Sequence, residues 1–141
     1  MGYRKSPYVV LAGLVLVFFP IIIFFESVSP TILVSFYEEL LGRAVPLLIF
    51  FSVYRHVDSY FSGVVAGLSF GFGEILLKLS YGLEPSFGML IPVVCVHVIN
   101  GILISTSLHH AMTERRYSIA ISVFFVAVLW HWLYNSTFYV T

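Results

Sequence analysis

The chain has 141 residues, of which 60% are hydrophobic, 18% aromatic and 10% charged. A soluble domain is roughly 45–50% apolar and about 25% charged, so this composition, with a mean hydropathy of +0.99, excludes a water-soluble globule and a disordered chain. Seven Lys/Arg balance seven Asp/Glu, which leaves no basic field for nucleic acid, and the single cysteine, Cys95, excludes an internal disulfide or a CxxC metal site.

A bilayer core of about 30 Å needs roughly 20 apolar residues in helix, and five such stretches follow one another. They cover residues 8–25, 31–53, 60–79, 86–108 and 118–140. The first has a basic start, like a signal peptide, but its apolar run is longer and no small-x-small cleavage site follows, so it reads as a retained span. The connections are a few residues long. The expected fold is therefore all-α, one compact bundle of about five transmembrane helices forming a single integral membrane domain over residues 1–141.

Charge in the connections predicts orientation. Arg4, Lys5, Arg55, Arg115 and Arg116 fall on alternate loops, whereas the Glu26–Pro30 and Tyr81–Pro85 loops hold no Lys or Arg. The positive-inside rule puts the N-terminus in the cytoplasm and the C-terminus outside. Lys78, near the end of the third span, is expected to snorkel to the interface.

The remaining charges lie within spans. Glu38, Glu39 and Arg43 are in the second, Glu74 in the third, His97 and Asn100 in the fourth, and His131 and Asn135 in the fifth. A charged side chain at the bilayer centre costs about 2.5–3.5 kcal/mol on insertion scales, so these groups should face one another or a watery cavity. At 1.5 Å per residue, Glu38, Glu74, His97 and His131 fall within about 8 Å of one another in depth, in the outer half of the membrane. Glu39 and Arg43 have the favourable i,i+4 order for an ion pair. That pairing would leave Glu38, turned about 100° away, to point into the site; the reverse assignment stays open. Crowded carboxylates in a low dielectric suit proton uptake.

Gly63, Gly67 and Gly71 form a small-xxx-small stripe that invites a close helix neighbour, with Glu74 on roughly the same face. Two copies of the chain could also meet through that stripe. His131 and Asn135 are i,i+4 neighbours, so the amide could orient the imidazole or donate to the same ligand. Pro46 and Pro92 interrupt their spans and could open backbone near the site. Asn100 reads as structural, His56, His109 and His110 as interfacial, and Cys95 as a small apolar filler.

In order, the motifs are Glu38-Glu39-xxx-Arg43, Phe70-xxx-Glu74 and His131-xxx-Asn135. This set resembles the CPBP (Abi) superfamily, the type II CAAX prenyl endopeptidases and bacteriocin-processing proteins, whose pattern is EExxxR, FxxxH and HxxxN/D. Glu74 in place of the second-motif His, together with the intramembrane His97, makes it most similar to the PrsW-like branch, which includes a scaffold subunit of γ-secretase. The first motif keeps the arginine form where that branch typically has EExxK.

The resemblance implies an intramembrane endopeptidase of glutamate type, acting on a membrane-embedded or membrane-tethered protein and needing no metal. It implies Glu38 as general base on water, with Glu39 sharing that role or held by Arg43. His131 and Asn135 would stabilise the oxyanion, Glu74 or His97 would orient the water or protonate the leaving amine, and Phe70 and Arg43 would support. Two alternatives accompany it: a zinc protease with Glu38, Glu74, His97 and His131 as ligands, although no HExxH motif is present, and a non-enzymatic scaffold subunit. A transporter would also use buried Glu and His, but the spans show no inverted halves. The expected location is the cell membrane, as a multi-pass protein.

Overall fold

The structure is a computed structural model, and it describes residues 6–26, 31–80, 82 and 87–138. These are helical almost throughout. The elements are α1 (Pro7–Val17), α2 (Phe19–Glu26), α3 (Thr31–Glu39), a π turn (Leu40–Ala44), α4 (Val45–Val53), α5 (Ser59–Ser80), α6 (Phe87–Glu114) and α7 (Tyr117–Phe138). Four stretches are long and apolar enough to cross a membrane: Pro7–Phe24, Ser59–Ser80, Leu90–Glu114 and Tyr117–Thr137. Arg4, Lys5 and the loops at 27–30 and 83–86, on which much of the orientation reading rests, lie outside the described residues.

Two expected spans are not single rods. The first bends at Phe18, ahead of Pro20, dividing α1 from α2. The second is interrupted where Pro46 removes a backbone donor. In an α-helix the residue-46 N–H would bond the Gly42 carbonyl. Instead the chain widens by one residue, and Val45 N–H reaches back to the Leu40 carbonyl. π turns of this kind collect at functional sites, and this one carries Arg43. Pro92, by contrast, is accommodated inside α6.

The closest packing is between α5 and α6. A Cβ added at Gly67 would lie 2.5 Å from the His97 carbonyl oxygen and from Val98 Cα, and one at Gly63 would lie 2.5 Å from Ile102 Cα. Gly101 on α6 faces the same contact from the other side. The glycine stripe is thus filled within the chain by α6, the close helix neighbour it was expected to have. α7 packs on the other side of α6, while the α3–α4 rod lies against α7 and α6, and α1 against α5 and α4. The apolar core joins Leu11, Val15, Ile22, Leu47, Phe50 and Phe70 with Ala66, Ile104 and Ala127. Replacing Gly67 by Leu should part α5 from α6 and lower stability in detergent by about 1–3 kcal/mol, as overpacking does. An unchanged melting temperature would contradict the packing described.

Candidate functional site

Where α3, the π turn, α5, α6 and α7 converge, the polar side chains of the spans form one continuous chain of contacts. Glu39 is its hub. Its Oε1 accepts from Arg43 Nη1 at 2.7 Å, from His131 Nδ1 at 2.7 Å and from Asn100 Nδ2 at 2.8 Å. Three helices and the π turn are tied together at that one oxygen. Glu39 and Arg43 are both fully buried, so this ion pair is sealed from solvent and lipid.

Arg43 then reaches the opposite way. Its Nη2 bonds His97 Nδ1, and His97 Nε2 bonds Glu74 Oε2. A guanidinium can only donate, so Nδ1 of His97 is the acceptor and its ring proton sits on Nε2, donating to Glu74. This fixes His97 as the neutral tautomer. Glu74 also takes the ammonium of Lys78, one turn along α5. This end is less enclosed, with the Lys78 side chain 24% exposed. Lys78 thus points back into the bundle, not out to the interface as expected, because the i,i+4 order with Glu74 N-terminal favours the ion pair. Phe70 floors the centre: the Arg43 guanidinium lies 4.4 Å from its ring centroid and the His97 ring stands edge-on at 4.9 Å.

At the other end, His131 lies between both glutamates of the pair. Nδ1 donates to Glu39, and Nε2 faces Glu38 Oε2 at 3.5 Å, longer than a direct hydrogen bond of about 2.7–3.2 Å. Although adjacent glutamates are turned about 100° apart, they take opposite nitrogens of one imidazole.

The charges can be counted. Glu38, Glu39 and Glu74 carry three negative charges when ionised, and Arg43 and Lys78 two positive ones. Among these five groups the carboxylates outnumber the cations by one. Arg43 faces Nδ1 of His97, which is therefore neutral, while Glu38 faces Nε2 of His131.

Six residues expected at a site, Glu38, Glu39, Arg43, Glu74, His97 and His131, thus meet, with Phe70 beneath them. Asn135 does not join them. Its amide donates to Ser35 Oγ at 3.3 Å, holding α7 to α3 one turn away, so the expected Asn135–His131 partnership is replaced by an interhelical one. Asn100, read as structural, belongs to the site through Glu39. Its place three residues after His97, on the same helix face, was the available signal. Cys95 is exposed on the outer face of α6 and fills no gap in the core.

The geometry also bears on a metal. The His97 and His131 rings meet edge-on with centroids 5.1 Å apart, but the four-residue set Glu38, Glu74, His97 and His131 does not aim its donor atoms at one point, since Nε2 of His97 is turned onto Glu74 and Nε2 of His131 toward Glu38. With Arg43 donating to Nδ1 and Nε2 turned onto Glu74, His97 offers no free lone pair. Among the described residues no three His, Cys, Asp or Glu side chains are disposed to hold one ion. Compared with models of protein families, with curated proteins and with solved structures, the chain matches none.

Proposed function

We propose that this chain is an intramembrane endopeptidase of glutamate type, similar to the PrsW-like branch of the CPBP superfamily, with five spans and a cytoplasmic N-terminus. The observation that carries the proposal is the buried juxtaposition of Glu38 Oε2 and His131 Nε2 at 3.5 Å, beside groups held by direct hydrogen bonds, and the proposal gives that pair one transferable proton. With that proton on His131, Glu38 is a carboxylate base and Nε2–H is an electrophile facing the same space. Glu38 takes a proton from water as the water oxygen bonds to the peptide carbonyl carbon. The developing oxyanion accepts from His131. The C–N bond then breaks as Glu38 returns the proton to the leaving amine.

Glu39 is a poor base in this scheme, since one oxygen already accepts three hydrogen bonds, and it serves to hold His131 in place. Glu74 and His97 act through Arg43 as positioning residues, and Asn135, held on Ser35, is not assigned to the oxyanion.

The test is a proteoliposome assay with single-span and membrane-tethered substrates, in which new termini are identified by mass spectrometry. Turnover that survives chelation, and that His131→Ala reduces about a hundredfold or more without unfolding the protein, supports the proposal. Stoichiometric zinc required for turnover would favour the metalloprotease instead. The complete burial of Glu39 and Arg43 favours one second reading, a scaffold whose polar cluster serves assembly. Loss of fold in both His131→Ala and Glu38→Gln would support that reading over the peptidase.

A further inference from the structure

Two cavities adjoin at the end of the bundle where α4 leads into α5 and α6 turns into α7. The larger, of about 380 Å³, is a cleft between the α3–α4 rod and the α6–α7 hairpin. Its lining is entirely apolar or aromatic, with Leu48, Leu108, Met112, Ile121 and Phe125 among its walls. The smaller, of about 210 Å³, lies between α4 and α6 and is lined by Phe51, Arg55, His109, Met112 and Thr113. Met112 lines both, so a polar pocket opens directly beside an apolar cleft.

The charges at this end are unequal. Of the two acids, Asp58 accepts the Phe61 backbone N–H at 2.6 Å, capping α5. Glu114 is held by His110 at 3.0 Å and by Arg116 at 3.6 Å. Arg55 makes no ion pair among the described residues, and neither does Arg115, which ends α6 with a left-handed φ of 58°. An unpaired guanidinium at the edge of a hydrocarbon-lined cleft selects a ligand with an anionic head and an apolar tail.

We propose that the two cavities together bind one anionic phospholipid, its phosphate at Arg55, His109 and Thr113 and an acyl chain in the cleft. Basic pockets between membrane helices recognise such headgroups. The occupant is a lipid because an apolar cleft with a cationic pocket at its end matches an anionic head joined to an acyl chain. The cleft lies within the roughly 300–1,000 Å³ range of small-ligand sites. The proposal stands on its own observations, whether or not the chain hydrolyses peptides.

The experiment is native mass spectrometry of the full-length protein released from detergent after titration with palmitoyl-oleoyl phosphatidylglycerol or with phosphatidylcholine of the same chains. One phosphatidylglycerol should be retained per chain, with about fivefold preference over phosphatidylcholine. Arg55→Gln, at an exposed position, should remove that preference while leaving the protein folded. Ala120→Phe, which fills the cleft, should lower retention of phosphatidylglycerol itself. Equal retention of the two lipids, or a preference that survives Arg55→Gln, would overturn the proposal. So would displacement of the lipid by millimolar inorganic phosphate, which would assign the pocket to a free anion. Displacement by a farnesylated peptide would assign the cleft to a prenyl chain and would likewise count against it.

Discussion

Glu38→Gln should abolish peptide hydrolysis and leave the bundle folded. The change is nearly isosteric, so the close packing around α3 is kept. It removes the one carboxylate that faces Nε2 of His131, and general-base catalysis contributes about 10²–10⁴-fold, equivalent to roughly 3–5 kcal/mol of transition-state stabilisation. Charge balance explains why folding should survive. Without the Glu38 carboxylate, Glu39 and Glu74 are matched by Arg43 and Lys78, and a neutral His131 completes a neutral cluster. Cleavage in proteoliposomes and thermal unfolding in detergent are to be read on the same preparation. Full cleavage by a folded Glu38→Gln protein would remove Glu38 as the base and, with it, the mechanism proposed.

Arg43→Met should have the opposite profile, with the fold lost first. Arg43 is fully buried and holds three partners at once: Glu39 through Nη1, His97 through Nη2 and the Phe70 ring beneath the guanidinium. Removing one partner of a buried ion pair strands the other charge and costs about 3–5 kcal/mol. Here it also leaves Nδ1 of His97 without a donor and a second surplus negative charge in the cluster. The double variant Arg43→Met/Glu39→Gln returns the charge count to that of the parent and should regain a substantial part of the lost stability. The measurement is a double-mutant cycle on unfolding in detergent. Stability of Arg43→Met within about 1 kcal/mol of the parent would mean that the ion pair is not sealed as described.

The contrast between these two variants shows how much of the site was legible in the sequence. In a chain this poor in charge, each ionisable residue inside a span must find a partner, because leaving it in hydrocarbon costs more than the loss of one ordinary contact. That reasoning, together with helical rise, brings Glu38, Glu74, His97 and His131 to one level, and i,i+4 spacing pairs Glu39 with Arg43. The glycine stripe likewise announced a close helix neighbour, though not that α6 would be the one to fill it.

What sequence spacing could not supply was the rotation of each helix about its axis. α7 is apolar on nearly every face, so nothing in its own pattern says whether Asn135 turns with His131 toward Glu39 or to Ser35. Lys78 could have left for the interface, and only the position of Glu74 between Lys78 and His97 turns it inward. Nor does the second span announce where its turns widen. Pro46 marks a missing donor, but the π turn that aims Arg43 at His97 is settled by what packs around it.

Composition and spacing thus establish an all-helical chain with helices long and apolar enough to cross a membrane, and the small set of polar residues that must meet inside it. Only the folded bundle settles which atoms meet, with Glu39 held by three donors and Glu38 facing Nε2 of His131. The physical reason is that composition and spacing act along a helix, through transfer energies and a fixed rise. The choice of hydrogen-bond partner acts across helices, where packing sets rotation and a shift of about 1 Å separates a bond from a gap.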